Sequence, residues 1–365
     1  MIKQLRHILL NLAAGANVAI VLLMLLVGYS DRLSPVDYPQ LSLIGMTLPL
    51  FLVLNLLFLF FWLVFKWQRV WIPVVGFVLA YVPISIYIPL NRPGDTSEAT
   101  LKVVSWNVCT YGGNYKYKNG FEVTLDYLKQ QDPDIICLQE DVDTWRRYVV
   151  KKYEESGYLY NDTTVFSKTK SSMNGVGIHS RYPILRKERI AYKANAHGSV
   201  AYYLQVGRDT VLVINNHLET THLSKDDRHN YREMIHGNMG RDTARAESMV
   251  LAGKLTDASV VRARQAEAVH AYIESHRQYP MIVCGDFNDT PISYSRHTIA
   301  QGLTDCFAAR GNGPGLSYNQ KGFFFRIDYV LCSDAFEPVR CEVDSKIDSS
   351  DHYPVLCWLK KQENP

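Results

Sequence analysis

The sequence predicts an α/β domain carried behind a membrane anchor of three helices. Three observations lead there. The long, uninterrupted apolar runs fall almost wholly within about the first ninety residues. Beyond them, short runs rich in β-branched residues alternate with stretches whose apolar residues recur at helical spacing. One run, Met281-Ile282-Val283-Cys284-Gly285-Asp286-Phe287-Asn288, passes from apolar residues straight into an acid and an amide. A buried strand reads this way at the carboxyl edge of an α/β sheet, where such folds carry their chemistry. A lone Gly-Asp-x-Asn is also an ordinary Asx turn, so its company decides the meaning.

The anchor comes first. Ile8–Gly28, Gly45–Phe65 and Val70–Leu90 are each free of Asp, Glu, Lys and Arg, and each matches the roughly 20 residues that cross a bilayer core. A cleavable signal peptide would explain only the first, and its apolar region is too long for one. Pro73, Pro83 and Pro89 should kink the third span. Trp62, Trp67 and Trp71 cluster where an interface belt would lie. Lys3 and Arg6 precede the first span, and Lys66 and Arg69 join the second to the third, so those segments should face the cytoplasm. Arg32 and Arg92, accompanied by Asp31, Asp37 and Asp95, should lie on the other side. Three crossings then leave the rest of the chain extracytoplasmic, which is the periplasm if the cell is a Gram-negative bacterium. The expected organisation is an anchor over residues 1–92, a linker over 93–100, and a domain over 101–365 with a helical insertion at about 220–262.

All 7 cysteines lie in that domain without a Cys-x-x-Cys pair. Their apolar settings favour buried free thiols over zinc or a disulfide framework. A formal charge of +3 is too slight to argue for a nucleic-acid partner.

In chain order, Leu101–Val108 reads as a strand and Tyr111–Asn119 as a loop rich in Gly, Tyr and Lys. Phe121–Gln131 carries Phe121, Leu125 and Leu128 at helical spacing, and Pro133 restarts the chain as a strand ending in Leu138-Gln139-Glu140. An amphipathic helix spans about Asp143–Ser156. Strands follow at Gly175–Pro183, Val200–Val206 and Thr210–Leu218, the last ending in Asn216-His217-Leu218. From Thr220 the pattern turns polar and helical, closing with a helix at about Ala263–His276. After the Met281 strand, Phe325–Cys332 and Val355–Leu359 complete the strands; Ser350-Asp351-His352-Tyr353-Pro354 opens the last.

Strand ends and starts therefore offer Asn107, Glu140, His217, Asp286 with Asn288, Asp328, and Asp351 with His352. Acids, amides and imidazoles without thiolates make a hard, oxygen-rich set suited to Mg²⁺ or Mn²⁺, ions that serve phosphate chemistry. The alternative for the two histidines is a buried ring satisfied by hydrogen bonds.

Through these residues the chain resembles the endonuclease/exonuclease/phosphatase superfamily. Its motifs occur in the family's order as Ser-Trp-Asn-Val, Leu-Gln-Glu, Asn-His-Leu, Gly-Asp-Phe-Asn, Ile-Asp-Tyr-Val and Ser-Asp-His-Tyr-Pro, over about Lys102 to Leu359. The resemblance implies a DNase I-like four-layer αββα sandwich with its site at one edge. It makes Glu140 the principal metal carboxylate, with Asn107 and Asp351 completing or flanking the metal site. Asp286 and Asn288 would orient the attacking water and a phosphate oxygen. His352, held by Asp328, would act as general base or polarise the water. His217 would bind the phosphate or protonate the leaving oxygen. Some relatives pair that histidine with a carboxylate; here the strand Val200–Val206 holds no acid, and Glu188 is the candidate.

His222, His229 and His236 recur every seventh residue, too widely for a zinc site, and read as a solvated face. Tyr111, Tyr115 and Tyr117 with Lys116 and Lys118 could stack bases, seat a lipid headgroup, or form an exposed loop. The expected function is a membrane-anchored, Mg²⁺- or Mn²⁺-dependent phosphoesterase that hydrolyses phosphodiesters without an organic cofactor. The short linker leans the substrate towards a membrane-lipid headgroup. An anchored endonuclease or exonuclease acting on DNA or RNA is the alternative, and a non-catalytic tethered binding module is a third reading. The sequence carries no signal for an oligomeric state.

Overall fold

A computed structural model describes residues 2–116, 119–141, 146–168, 173–194, 196–221, 223–320 and 323–362. The anchor begins with α1 (Ile2–Gly28) and α2 (Leu48–Phe65), apolar on nearly every face as bilayer helices are. Both are long and apolar enough to cross a membrane. The third stretch differs from a single span: it forms α3 (Trp71–Leu79) and α4 (Tyr81–Tyr87), bent by 62°. Pro83 explains the bend, because it has no N–H to donate to the Leu79 carbonyl. The Tyr29 hydroxyl donates to that oxygen instead, at 2.8 Å. Among the described residues two helices are thus long and apolar enough to cross a membrane, or three if the bent pair is one span. Three side chains tie the helices together: Asn17 Nδ2 donates to Asn55 Oδ1 (3.1 Å), Asn55 Nδ2 to the Pro73 carbonyl (3.0 Å), and Trp62 Nε1 to Asn17 Oδ1 (2.9 Å). Buried amides in an apolar bundle need such partners.

The rest of the chain runs β1 (Leu101–Asn107), α5 (Cys109–Lys116), α6 (Gly120–Gln131), β2 (Ile135–Gln139), α7 (Arg146–Glu155), β3 (Tyr160–Lys168), β4 (Met173–Ser180), β5 (Ile184–Arg189), β6 (Gly198–Val206), β7 (Asp209–His217), α8 (Lys225–Ile235), α9 (Arg241–Ser275), β8 (Met281–Asp286), α10 (Tyr294–Ile299), β9 (Thr304–Asp305), α11 (Cys306–Arg310), β10 (Tyr318–Gln320), β11 (Phe323–Phe325), β12 (Asp328–Cys332), β13 (Phe336–Val343) and β14 (Val355–Lys361). Two six-stranded sheets result, ordered β13-β14-β1-β2-β4-β3 and β5-β6-β7-β8-β12-β9, with a separate hairpin of β10 and β11.

Alternation along each strand packs the sheets face to face. Val103, Ile135, Cys137 and Ile178 of the first sheet meet Tyr202, Val213, Cys284 and Val330 of the second. The intervening residues face outward under helices. Val104, Ile136 and Leu138 meet Leu125 and Leu128 of α6 and Tyr153 of α7, while Ile214 and Val283 meet Ala266, Val269 and Ile273 of α9. The result is a mixed α/β sandwich with helices on both outer faces. Asn215 bridges the sheets, accepting from Gln139 Nε2 at 2.7 Å and donating to the carbonyls of Leu138 (3.0 Å) and Gly177 (2.9 Å).

Several elements differ from the expectation. Residues 109–116 are helical rather than a loop, and their first turn is left-handed, with φ of 46°, 52° and 59° at Cys109, Thr110 and Tyr111. Tyr117, Lys118 and His222 lie outside the described residues, as do the side chains of Tyr115 and Lys116. The insertion holds α8 and the first part of α9, which runs on without a break through the helix expected at 263–276 as one helix of 35 residues. Its second half packs on the sheet through Ala266, Val269 and Ile273, while its first half is mostly exposed. All 7 thiols are free, six of them buried and that of Cys109 half-buried.

The anchor is docked against the domain. Gly45 lies so close to the Ile292 backbone that a Cβ would overlap it. Asp31 Oδ2 is 3.4 Å from His297 Nδ1, Gly313 N donates to Pro89 O at 2.8 Å, and Arg326 donates to the Ile86 carbonyl. Residues 93–100 also pack down: Gly94 meets Val339, and Thr100 N donates to Leu359 O at 2.8 Å.

Candidate active site

Strand register gathers the polar residues. Parallel pairing of β1 with β2 puts Asn107 beside Gln139, one residue before Glu140. Pairing of β8 with β7 and β12 sets Asp286 beside both His217 and Asp328. Because the sheets face each other, these two rows close on a single cavity of ≈ 220 Å³. Asn107, Glu140, His217, Asp286, Asn288, Asp351 and His352 all line it, with Asp328 behind His352.

The backbone serves this edge. Gly285 has φ 129° and presses on Asn216, so a side chain there would overlap the Asn216 carbonyl. Glu140 and Asn288 take left-handed φ values of 55° and 52° as the chain leaves its strands. Asn288 is held by donation from Nδ2 to Leu218 O at 2.9 Å, and its backbone N–H donates to Asp286 Oδ1 at 2.8 Å.

Asp286 is the hub. Its Oδ2 accepts from Asn107 Nδ2 at 3.1 Å and lies 3.7 Å from His217 Nε2 and 3.8 Å from His352 Nε2. Burial, then the neighbouring Asp328, raises its carboxyl to about 7 despite the opposing pull of His352. Asn107 also reaches Glu140 Oε1 at 3.3 Å. Burial and then Asp351 hold the Glu140 carboxyl above its ordinary range. His352 Nδ1 faces Asp328 Oδ2 at 2.8 Å. Burial pulls this imidazole down, but Asp328 and Asp286 together outweigh it and raise it to about 10. His217 behaves oppositely: burial, then His197 and His352, push it well below its usual range, so it is neutral.

The partner of His217 is not the expected acid. Its Nδ1 meets Asn174 Oδ1 at 3.1 Å, while Glu188 lies elsewhere, bound by Tyr272 (2.6 Å) and Arg186 (2.7 Å). Asn174 comes from β4 of the opposite sheet, and no local pattern around it marks the role. His197, whose ring centroid is 4.6 Å from that of His217, and Tyr318, at 5.0 Å from that of His352, were missed for the same reason.

The residues suit a divalent cation. Ligand atoms of Asp286, Asp328 and His352 lie within 4.8 Å of one another, and Asp328 Oδ1 is buried without a hydrogen-bond partner. Glu140, whose carboxyl Asp351 helps to raise, makes with Asp351 a second acidic wall of the cavity. Clustered carboxylates of this kind are relieved by a hard cation.

Two face-to-face sheets with acids, amides and imidazoles converging at one edge define a hydrolase-like α/β sandwich. The model described as "Endonuclease/Exonuclease/phosphatase family" matches residues 104–352, and the chain belongs to that family. Residues 7–87 match a model described only as a domain of unknown function. Among solved structures, an endonuclease/exonuclease/phosphatase from Beutenbergia cavernae is 17% identical, with a TM-score of 0.52 over 72% of this chain and 71% of that one. The human Nocturnin catalytic domain with bound sulfate is 16% identical, with a TM-score of 0.51 over 72% and 94%. A family member from Bacteroides vulgatus is 13% identical, at 0.51 over 72% and 99%. At such identities the likeness is one of fold.

Proposed function

We propose that the chain is a membrane-anchored, divalent-metal-dependent phosphoesterase that hydrolyses phosphodiesters, with a membrane-lipid headgroup as the favoured substrate. The observation that carries this reading is the placement of Asp286 within 3.1 Å of Asn107 and within 4 Å of two imidazoles at the head of one cavity.

Glu140, Asn107 and Asp351 would hold Mg²⁺ or Mn²⁺. Such an ion, when bound, neutralises the phosphate and stabilises charge developing on it. Asn288 and Asp286 orient the attacking water. With its carboxyl raised to about 7, Asp286 accepts the water's proton as the oxygen bonds to phosphorus. The bond from phosphorus to the leaving oxygen breaks, and that oxygen takes a proton from solvent. His352, kept cationic by Asp328, polarises the water and supports the charged phosphate rather than serving as the base. His217, its Nδ1–H held by Asn174 Oδ1, turns Nε2 to the site, and would take up a proton there as the anionic phosphate binds before donating a hydrogen bond to a phosphate oxygen.

The same reading takes α3 and α4 as one broken crossing. Lys3, Arg6 and Lys66 share a hollow at one end of the bundle, where Arg69 bonds the Leu10 carbonyl and Asn11. The domain docks at the other end, through Gly45 and Pro89. The positive-inside rule then favours a cytoplasmic N-terminus and an extracytoplasmic domain.

Hydrolysis of bis(p-nitrophenyl) phosphate by the full-length protein in detergent tests the chemistry. A rate that is no higher with Mg²⁺ or Mn²⁺ than with chelator would favour the non-catalytic module. Turnover of DNA or RNA alone, against a panel of phospholipids and sphingolipids, would favour the anchored nuclease.

A further inference from the structure

The cavity that holds the site does not end at the polar residues. Its wall continues over Leu43 and Met46, from the segment that joins α1 to α2, and over Leu223, Leu251 and Leu255 of the insertion. The same cavity therefore offers acids, amides and imidazoles to a charged group and leucines and Met46 to hydrocarbon. Apolar lining with a few convergent polar groups is how a pocket selects an amphiphilic ligand. A nucleic-acid groove would combine rings for base stacking, which the cavity's Tyr231, Tyr318 and Phe325 could supply, with cations that track a backbone. Of the two arginines that line the cavity, Arg228 and Arg262, the second is bound to Asp289 and to the Glu219 carbonyl, so the pair does not form such a track.

The apolar wall also sits where a bilayer lipid can reach it. Met46 lies two residues before α2, one of the two membrane-crossing helices. Exposed Leu33, Val36 and Leu41 continue the apolar surface along the same joining segment. That segment is held in place: Pro39–Leu41 packs on α9, Gly45 abuts Ile292, and Asp31 pairs with His297 at 3.4 Å. An anchor that served only to tether would not need to be fixed into the wall of the catalytic cavity.

We propose that the joining segment is part of the substrate site, with Leu43 and Met46 facing Leu251 and Leu255 to seat the hydrocarbon of an amphiphilic phosphodiester taken from the surrounding bilayer, its phosphate lying against His217 and Asp286. The proposal rests on the phosphoesterase reading and adds to it the element that selects the substrate. The anchor is then a specificity determinant, and removing it changes which diester is cleaved as well as where the enzyme resides.

The test uses full-length protein in nanodiscs, with Met46→Asp and Leu251→Asp, and Met46→Leu as the conservative control. Two substrates are compared, soluble bis(p-nitrophenyl) phosphate and a diacyl phospholipid offered with long or short chains. The expected result is a KM for the long-chain lipid raised about tenfold or more by each Asp variant. Short-chain lipid should respond less, bis(p-nitrophenyl) phosphate should change less than twofold, and Met46→Leu should behave as wild type. Unchanged lipid kinetics, or equal losses on all substrates including the soluble one, would overturn the proposal. Lipid inert to a protein that still cleaves the soluble diester would also overturn it, while leaving the phosphoesterase reading intact. If no diester is cleaved, that reading fails. Cross-linking by a phosphatidylcholine with a photoreactive acyl chain then decides the pocket alone: adducts at residues 42–46 and 251–255 support it, and adducts confined to α1 and α2 overturn it.

Discussion

Asp328 Oδ2 lies 2.8 Å from Nδ1 of His352, with both side chains buried at the inner end of the cavity. Because β12 pairs with β8, the same aspartate stands beside Asp286, so one carboxylate raises both the imidazole and the second acid.

The first prediction is a shift of the whole pH profile. With Asp286 near 7 and His352 near 10, kcat/KM should rise through about pH 7 and fall above about pH 10, as for a base and an acid acting together. Asp328→Asn removes a negative neighbour from each, which favours neutral imidazole and ionised Asp286 alike. Both limbs should move to lower pH. A profile of kcat/KM from pH 5 to 11 checks this, and a shift of one limb alone would contradict it.

The second prediction concerns stability. The His352 imidazole is raised from 6.5 to about 10 on folding, so folding takes up its proton over that window. Its contribution is fully present below about pH 6.5 and is lost as pH rises through about 10. In chelator, the melting temperature of the wild type should fall between those values by more than that of Asp328→Asn. Scanning calorimetry across the interval measures the difference.

A third prediction separates ion binding from water activation. Glu140→Gln keeps shape but loses charge, so activity should drop on the order of a hundredfold and partly return at high Mg²⁺. His352→Ala leaves Glu140 in place and should lose turnover at every metal concentration. Metal titrations of both variants test the division, and equal rescue would place His352 among the ligands.

A fourth prediction addresses the sheet-to-sheet tie. Asn215→Ala would leave Gln139 Nε2 and the carbonyls of Leu138 and Gly177 without their buried partner. The cost should be about 2–4 kcal/mol, a fall in melting temperature of roughly 5–10 °C. Thermal denaturation followed by circular dichroism reads it out.

The sequence alone determined the residues whose meaning is local. Gly285-Asp286-Phe287-Asn288 is legible because an apolar run, a glycine able to take φ 129° and two polar residues follow one another along a single strand end. The same holds for Glu140 after β2 and for His217 at the end of β7, where a strand's period and its terminal turn lie within a few residues. The helices α1 and α2, long and apolar enough to cross a membrane, were legible because hydrocarbon demands an unbroken apolar run. Tertiary structure decided what depends on distant neighbours. Asn174 became the partner of His217 because the two sheets face each other, and Glu188 was excluded because β5 carries it to Tyr272. The raised pKa of Asp286 arises from burial and from Asp328 across the β8–β12 pairing, and that of His352 from Asp328 and Asp286 against burial, which no spacing along the chain expresses. Leu43 and Met46 carry no sequence mark of a site, and only the docking of Gly45 on Ile292 brings them to the cavity. Side-chain chemistry and local periodicity are written residue by residue, whereas burial and charge coupling exist only once residues far apart in the chain share the same low-dielectric space.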